Sequence, residues 1–266
     1  MRQRISSRQH PIIRYFRNVA SGKIHNRVLL DGDHLIEEAL TSGVGIEVAA
    51  FTDQTAADRF EGRVAGATST LIVTSAVLKA LSPVQSPSGS VALAVRPEID
   101  LERVFARTPQ LILCLHGIQD PGNVGAIVRA AEGGGATGIL CSEGTADPFG
   151  WKALRGSMGS SLRVALAVRH ALPEAIDVAR GKGLRIFATS AHAGTPLHQC
   201  NLRVPAAIVL GGEGAGLPSS VIDAADERLT IPMQPPVESL NVAIAAALVI
   251  YEAARQRHGV RAHVAL

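Results

Sequence analysis

Short apolar runs alternate with amphipathic segments in the second half of the chain. Each run is bounded by polar residues, which is typical of a strand covered on both faces of a sheet. The predicted strands are Leu111–Leu115, Gly138–Cys141, Leu184–Thr189 and Ala206–Leu210. Apolar residues at helical spacing predict helices over Val124–Glu132 and Val242–Gln256. Strands that alternate with helices predict an α/β fold with a mostly parallel sheet.

The N-terminal third also alternates between short strands and helices. Its predicted strands are Val28–Leu30, Ile46–Phe51, Leu71–Val73 and Val91–Val95. The clearest helix is Asp33–Thr41, and prolines and glycine predict a loop over Ser82–Ser90. A polar stretch bracketed by prolines, Pro97–Pro109, predicts a linker. The chain is therefore divided into a smaller α/β domain (1–96), a linker (97–109) and a C-terminal α/β domain (110–266).

The composition is that of a folded protein with a sizeable core. Hydrophobic residues make up 47% of the 266 residues and charged residues 18%, which excludes an intrinsically disordered chain. The longest apolar run, Val242–Tyr251, has about half the length needed to cross a bilayer. No membrane segment is predicted.

The three cysteines, Cys114, Cys141 and Cys200, have no CxxC spacing and are odd in number. They are interpreted as buried thiols of a protein in a reducing compartment, which predicts a cytoplasmic location. The nine histidines show no spacing typical of metal ligands, so no metal site is predicted.

Basic residues are concentrated at the start of the chain, although the net charge is only +3. The first 30 residues contain no acidic residue and seven basic ones, namely Arg2, Arg4, Arg8, Arg14, Arg17, Lys23 and Arg27. A cleaved targeting peptide is one interpretation, because such segments are rich in arginine and serine. The segment lacks the apolar stretch of a secretory signal, however, and runs directly into the strand predicted at Val28–Leu30. An arm that contacts phosphates is therefore the favoured interpretation.

A first polar junction, Asp120–Glu132, links a predicted strand to a helix. The turn Asp120-Pro121-Gly122 places Asn123 at the helix start, where its amide is available to cap the helix or to contact a ligand. Arg129 follows nearly two turns later, among alanines and valines. An arginine at such a position usually forms a surface ion pair, so this junction alone is ambiguous.

A second junction, Leu210–Leu217, follows a buried strand and is rich in glycine. Glycines there let backbone amides approach a ligand closely. The spacing is not that of the dinucleotide fingerprint, and Glu213 would repel a phosphate. An acidic residue tolerates a cationic sulfonium or a ribose hydroxyl. An ordinary glycine-rich turn is the alternative.

A third junction consists of Ile231-Pro232-Met233 followed by Val237–Ala243. Ser239 and Asn241 flank the start of the last helix, where such residues are ordinarily caps. Capping explains one of them. It does not explain both together with Glu238 at one helix entrance.

In order and spacing, these three segments resemble the signature motifs of the SpoU-type (TrmH-type) branch of the SPOUT superfamily of RNA methyltransferases. The resemblance covers roughly residues 110–257, and the segment from Asp147 to Gly159 is similar to the family's linking segment. The N-terminal region is similar, more loosely, to a substrate-binding domain of the type seen in ribosomal protein L30e. That similarity rests on the basic arm, on Leu29–Gly32 before the next helix, and on Ser88-Gly89 before a strand.

The resemblance implies a fold in which the C-terminal segment threads through a loop as a trefoil knot, and a homodimer with its active site at the subunit interface. It implies S-adenosylmethionine as methyl donor, bound by Leu210, Gly211, Gly212, Glu213, Ile231, Met233, Leu240 and Asn241. The implied catalytic residues are Asn123, Arg129, Glu213, Ser239 and Asn241. The candidate RNA contacts are Arg2, Arg4, Arg8, Arg14, Arg17, Arg27 and Arg155.

The predicted activity is methylation of a ribose 2′-oxygen in RNA, with ribosomal RNA favoured over transfer RNA. A guanidinium is a reluctant base, so Arg129 is expected to stabilise the forming alkoxide and to grip the adjacent phosphate. A non-catalytic RNA-binding or ribosome-assembly protein on the same fold is the alternative. A nucleotide-dependent oxidoreductase is disfavoured, because the fingerprint is missing and Glu213 stands where a pyrophosphate would sit.

Overall fold

The computed structural model describes residues 2–60, 63, 69–98, 100–191, 193–214 and 216–258. The strands are β1 (Arg2–Ile5), β2 (Arg27–Asp31), β3 (Ile46–Phe51), β4 (Ser69–Val73), β5 (Ser90–Val95), β6 (Leu111–His116), β7 (Gly138–Ser142), β8 (Leu166–His170), β9 (Arg185–Thr189), β10 (Thr195–Pro196), β11 (Ala206–Gly211) and β12 (Glu227–Thr230). The helices are α1 (Pro11–Ala20), α2 (Asp33–Thr41), α3 (Gln54–Phe60), α4 (Ser75–Leu81), α5 (Leu101–Phe105), α6 (Pro121–Gly133), α7 (Trp151–Gly156), α8 (Leu172–Gly181), α9 (Ser219–Ala224) and α10 (Val242–His258). The chain forms two compact units: unit 1 comprises Met1–Glu98 and Pro148–Arg163, and unit 2 comprises Ile99–Asp147 and Val164–Leu266.

Unit 1 is built on a five-stranded sheet in the order β1-β4-β3-β5-β2. Strands β1, β4 and β3 run parallel, whereas β5 is antiparallel to both β3 and β2. The strands predicted from the pattern lie within β2, β3, β4 and β5, and the predicted helix Asp33–Thr41 is α2. The unit is thus the smaller α/β domain expected from the sequence.

The basic N-terminal segment is folded, so the prediction of an arm is wrong for its structure. Strand β1 pairs with β4, which places Ile5 beside Val73 in the core. Helix α1 buries Ile13, Phe16 and Val19, and the ring Nδ1 of His10 caps its first turn by accepting from Ile12 N. These apolar residues are spaced to form one buried face, which leaves the basic residues on the remaining positions.

The segment 148–163 belongs to unit 1, although the sequence placed it in the C-terminal domain. Helix α7 packs against β2, and Trp151 lies partly buried against the core of unit 1. Arg163 forms an ion pair with Glu38 of α2. Gly159 lies in a left-handed conformation with φ +87, and a Cβ there would meet the Glu38 side chain at 2.8 Å. These contacts tie the segment to α2 and β2, and no local sequence pattern predicts them.

Unit 2 is built on a seven-stranded sheet in the order β10-β12-β9-β11-β6-β7-β8. All of its strand pairs within the described residues are parallel. Along β6, Ile112 and Cys114 pack into one core cluster with helix α8, and the alternating residues face the other side of the sheet. All five residues Leu111–Leu115 are buried. The prediction of strands covered on both faces is therefore correct for this sheet.

The predicted linker 97–109 is wrong over its middle part. Residues 101–105 form helix α5, and Asp100 caps it by accepting from Glu102 N at 2.8 Å. Val104 and Phe105 are buried in the same core cluster as the residues of α8. The sequence of this segment is mostly polar because the helix is short and buries only Val104 and Phe105.

The remaining sequence expectations concern the thiols and the long helices. Cys114, Cys141 and Cys200 are buried free cysteines, as predicted, and burial raises the pKa of the Cys114 thiol to about 12. Helix α6 buries Val124, Ile127 and Val128 as its pattern predicts. None of the helices in the described part of the chain is long and apolar enough to span a membrane.

Candidate active site

A cavity of about 370 Å³ lies in unit 2 at the carboxyl ends of β9, β11 and β12. These strands are neighbours in the parallel sheet, so the loops that follow them meet at one edge, where α/β sheets commonly bind ligands. The cavity is lined by Thr189, Ser190, Ala191, Leu210, Gly211, Gly212, Glu213, Gly214, Gly216, Leu217, Leu229, Ile231, Met233, Glu238, Ser239, Leu240, Val242 and Ala245. Its size is within the range of small-molecule sites.

Most of the residues predicted to bind the methyl donor line this cavity. They are Leu210, Gly211, Gly212, Glu213, Ile231, Met233 and Leu240. Asn241 does not line it but directly follows Leu240. The sequence interpretation missed Thr189, Ser190 and Ala191, which follow β9. The rule that ligands bind beyond the carboxyl ends of parallel strands would have found them, since this strand end was itself predicted.

The glycine-rich loop is folded against its own backbone. Gly212 N donates to His116 O at 2.7 Å, and Gly216 N donates to Gly212 O at 3.2 Å. A Cβ on Gly211 would lie 2.5 Å from the Gly216 carbonyl carbon and 2.7 Å from Leu217 N. Glycine at 211 is thus required for packing within the loop, a reason that the sequence interpretation did not give. Ala215, which belongs to the same motif, lies outside the described residues.

Asn123 occupies the third position of helix α6, and its side chain turns to the second motif. Asp120 caps the helix by accepting from Asn123 N at 2.9 Å, so capping does not require the Asn123 side chain. Its amide Nδ2 donates to Glu213 Oε1. This bond links the first turn of α6 to the loop after β11. The two segments are close because β6, which precedes α6, pairs with β11.

Asn241 joins the third motif to the first. Its Oδ1 accepts from Ala243 N at 2.9 Å and from Ile244 N at 3.3 Å, which caps helix α10. Its Nδ2 donates to Asn123 Oδ1 at 3.0 Å. A hydrogen-bonded chain therefore runs from Asn241 through Asn123 to Glu213. Capping explains Asn241, as predicted for one of the two polar residues, but Asn241 also bonds across the motifs.

Ser239 and Glu238 line the cavity without a side-chain partner among the described residues. Together with Glu213 they place two carboxylates and one hydroxyl on the cavity wall beside α10. The described residues that line the cavity include no lysine, arginine or histidine. The local field therefore favours a cationic ligand over an anionic one.

Within a single chain, Arg129 belongs neither to the hydrogen-bonded residues nor to the cavity wall. Its side chain is exposed on α6, does not line the cavity, and makes no hydrogen bond or ion pair to the part of the chain that the structure describes. Ala126 lies one turn earlier on the same helix and is also exposed. The structure thus brings together Asn123, Glu213, Ser239 and Asn241 but leaves Arg129 apart.

The seven arginines predicted to contact RNA fall into two groups. Arg2 pairs with Asp58 at 2.6 Å, Arg17 Nε donates to Ala80 O at 3.2 Å, and Arg27 pairs with Glu47. These three side chains stabilise the unit. The side chains of Arg4, Arg8, Arg14 and Arg155 are exposed and make no hydrogen bond or ion pair to described residues. Of these seven arginines, the second group is the one that is free to contact an anionic partner.

Two family models match the chain. The model of the SpoU rRNA methylase family matches residues 110–251, which contain all three motifs and the cavity. The chain belongs to this family. A second model, for the MRM3-like substrate binding domain, matches residues 22–92 of unit 1.

Relatives with related sequences and structures support the assignment to the SpoU family. The 23S rRNA (guanosine(2553)-2′-O)-methyltransferase RlmP of Bacillus subtilis is 30% identical over 226 residues, which cover 85% of this chain and 88% of that protein. A crystal structure of an RNA 2′-O ribose methyltransferase has a TM-score of 0.81 and 33% identity, covering 96% of this chain and 99% of that one. The SpoU methyltransferase AviRb from Streptomyces viridochromogenes, in complex with the cofactor AdoMet, has a TM-score of 0.85 and 25% identity, covering 95% and 100%.

Membership of this family confirms the predicted SPOUT-type fold and the predicted RNA methyltransferase that uses S-adenosylmethionine. The cavity fits this cofactor chemically. Leu210, Ile231 and Leu240 offer apolar walls to an adenine ring, while the carboxylates suit ribose hydroxyls and cationic groups. No basic side chain among the described lining residues would repel a sulfonium.

Proposed function

We propose that this protein methylates a ribose 2′-oxygen in RNA, with ribosomal RNA as the preferred class, and that it binds S-adenosylmethionine in the cavity of unit 2. The observation that carries the proposal is the chain Asn241–Asn123–Glu213, which connects three motifs distant in sequence at the edge of that cavity. A protein that only bound RNA would not need a polar chain fixed beside an acidic, apolar-walled cavity.

The three hydrogen-bonded side chains Asn241, Asn123 and Glu213 act as a preorganised wall beside the cavity. Because both functional groups of Asn123 are engaged, its orientation is fixed, and so is that of the Glu213 carboxylate. Groups held in place before substrate arrives avoid reorganisation during the reaction. The bound cofactor supplies an electrophilic methyl group on a cationic sulfur. Glu213 and Ser239 then orient the ribose hydroxyl towards it, with Asn241 holding Asn123 in position.

Arg129 contributes by binding the RNA backbone. A guanidinium stays protonated and offers several donors in one plane, which suits a phosphate and an oxygen that is gaining negative charge. Its side chain has no partner among the described residues of its own chain, so it is free for this contact. The neighbouring phosphate is the proposed acceptor of the hydroxyl proton.

The protein acts as a homodimer through α6 and α10. Ile244, Leu248 and Tyr251 form an apolar stripe along α10 with exposed fractions of 54%, 44% and 55%. Beside it, Ala126 and Ala130 of α6 complete a shallow apolar groove. A second copy on this face would bring Arg129 to the subunit boundary, where it serves the partner's cavity. Leu248→Glu should convert the dimer to a monomer in sedimentation experiments, whereas Leu248→Met should not.

Ribosomal RNA is preferred because a unit similar to a substrate-binding domain accompanies the catalytic unit. Arg4, Arg8, Arg14 and Arg155 give unit 1 free cations for phosphates. RNA held on unit 1 raises the effective concentration of RNA at the cavity of unit 2. A substrate in the ribosome places the enzyme in the cytoplasm, which agrees with its buried free thiols.

The proposal is tested by methylation of RNA with the purified protein. Ribosomal and transfer RNA from cells that lack the gene would be incubated with radiolabelled S-adenosylmethionine, and the modified position mapped as a 2′-O-methyl group. Wild type should label one ribosomal RNA site, and Asn123→Ala should not. Label on a base, or in transfer RNA alone, would contradict the proposed substrate.

A non-catalytic RNA-binding protein is the alternative, and titration with the cofactor separates the two. The proposed enzyme should bind S-adenosylmethionine with 1:1 stoichiometry per chain in calorimetry. Ala245→Phe, which extends a side chain from α10 into the cavity, should abolish that binding in a folded protein. RNA binding without cofactor binding by the wild type would support the alternative.

A further inference from the structure

Two carboxylates, Glu213 and Glu238, line the cavity, but they are held differently. Glu213 accepts a hydrogen bond from Asn123, so its orientation is coupled to the polar chain beside the cavity. The Glu238 carboxylate has no hydrogen bond or ion pair with any described residue. It lies in the segment between β12 and α10, close to the capped start of α10. Glu238 is therefore a free negative charge on the cavity wall.

The methyl donor and the product that remains after methyl transfer differ in charge at the sulfur atom. S-adenosylmethionine carries a positive charge on sulfur, whereas the thioether that remains after methyl transfer is neutral there. The adenosine and amino-acid parts are the same in both molecules. The two molecules differ only in the methyl group and in this charge. Contacts with the adenosine and amino-acid parts therefore treat donor and product alike, whereas a charge near the sulfur favours the donor.

We propose that Glu238 makes the cavity select the cationic donor over its neutral thioether product. The inference rests on the proposed binding of S-adenosylmethionine in this cavity. Because no basic side chain lines the described part of the cavity, no local cation offsets the carboxylate. Methyl transfer forms a bond from carbon to the ribose oxygen and breaks the carbon–sulfur bond, whose electron pair stays on sulfur. The sulfur is then neutral, so its attraction to Glu238 disappears. Product release is then favoured by the same residue that favours donor binding.

The experiment measures affinities by calorimetry for three ligands: S-adenosylmethionine, S-adenosylhomocysteine and sinefungin, which carries a protonated amine in place of the methylsulfonium. Glu238→Gln keeps the shape of the side chain and removes its charge. We expect the preference for S-adenosylmethionine over S-adenosylhomocysteine to fall by roughly tenfold at low salt, which corresponds to about 1.4 kcal/mol. The affinity for sinefungin should fall in parallel with that for S-adenosylmethionine, while the affinity for S-adenosylhomocysteine should change by less than about twofold.

The matched control is Glu143→Gln, which removes the same charge from an exposed position outside the cavity. It should leave the preference unchanged. In the wild type the preference should decline as salt rises, since Glu238 is exposed and its field is screened. In Glu238→Gln the decline should be clearly smaller, because only the Glu213 carboxylate then remains on the cavity wall.

An unchanged preference in Glu238→Gln, or an equal loss of affinity for all three ligands, would overturn the inference. Failure of the proposed function has a different signature. In that case the wild type binds none of the ligands, or Ala245→Phe binds them as tightly as the wild type does.

Discussion

Asn241 donates a hydrogen bond to Asn123 Oδ1 at 3.0 Å, although 118 positions separate the two residues in the chain. The bond exists because both residues stand at helix starts, Asn123 in the first turn of α6 and Asn241 just before α10. Since α6 and α10 pack against each other, their starts converge beside the cavity. The packing of two helices thus positions the proposed catalytic wall.

The two functions of Asn241 are separable by substitution. Serine caps helices about as well as asparagine but is too short to reach Asn123. We expect Asn241→Ser to retain stability within about 0.5 kcal/mol and to lower methyl transfer by roughly tenfold or more. The measurements are denaturant unfolding and single-turnover methylation.

Asn241→Ala is the matched comparison, because it removes both the cap and the bond to Asn123. It should lose about 1 kcal/mol of stability in addition to activity. Full activity in Asn241→Ser would show that the bond to Asn123 has no part in catalysis.

Arg129→Ala should reduce methyl transfer by about 10²–10³-fold while leaving the fold intact. The side chain is exposed and does not line the cavity, so stability should change by less than about 0.5 kcal/mol and donor affinity by less than about twofold. Arg129→Lys should recover only part of the rate, because a lysine cannot reproduce a bidentate contact. A near wild-type rate for Arg129→Ala would remove this residue from the proposed site.

Mixing Arg129→Ala with Glu213→Ala tests whether the two residues act across a dimer. If Arg129 serves the partner's cavity, each mixed dimer contains one intact site, and about a quarter of wild-type activity should return after subunit exchange. If both residues act within one chain, the mixture should stay as inactive as its components.

The sheet of unit 2 could be predicted from sequence because its central strands are apolar on both faces. β6, β7, β9 and β11 were predicted to within about one residue at each end. Strands β8, β10 and β12 were not predicted. β8 and β10 lie at the two edges of the sheet, β10 has only two residues, and β8 and β12 carry polar residues such as Arg169 and Arg228. An edge strand buries less apolar surface, and its pattern resembles that of a loop.

The cavity residues on the three motifs were predicted, but their connection was not. That Asn123 bonds to both Asn241 and Glu213 depends on the pairing of β6 with β11 and on the packing of α6 with α10, which local patterns do not encode. The separation of Arg129 was missed for the same reason. The role of β1 and α1 was missed because the basic residues obscured a buried face of Ile13, Phe16 and Val19.

Gly211→Ala should destabilise unit 2 by roughly 1–3 kcal/mol, because its Cβ would meet the backbone of Gly216 and Leu217 at 2.5–2.7 Å. Donor binding should weaken as a consequence of the displaced loop. Gly181→Ala is the control, since nothing lies within 4 Å of a Cβ there and it ends helix α8. It should be neutral or slightly stabilising in denaturant unfolding. Equal stability of both variants would mean that the loop adapts.

Glu252→Gln should reveal a pH-dependent contribution to stability. Hydrogen bonds from Arg255 at 2.7 and 2.8 Å lower the pKa of the Glu252 carboxyl to about 2. A carboxyl whose pKa is lower in the folded than in the unfolded state stabilises the folded protein when the pH is above the unfolded-state pKa. This stabilisation is lost as the pH falls through the folded-state pKa. Because Arg255 is mostly exposed, we expect only about 1 kcal/mol at neutral pH. The difference from the wild type should shrink as the pH falls from about 5 towards 2, and a constant difference would contradict the assignment.

The free arginines of unit 1 should set the salt dependence of RNA binding. Replacing Arg4, Arg8 and Arg14 together by glutamine removes three exposed cations that have no partner among the described residues, so the fold should be unaffected. For every phosphate that the protein no longer neutralises, the slope of log affinity against log salt falls in magnitude by about 0.7–0.9. The triple variant should therefore bind RNA more weakly at low salt, with a slope reduced by about two units or more. Replacing Arg103, Arg107 and Arg228, exposed cations of unit 2, changes the net charge equally and should leave the slope nearly unchanged. If both triple variants lowered the slope equally, RNA binding would follow net charge, and Arg4, Arg8 and Arg14 would be ordinary solvated residues.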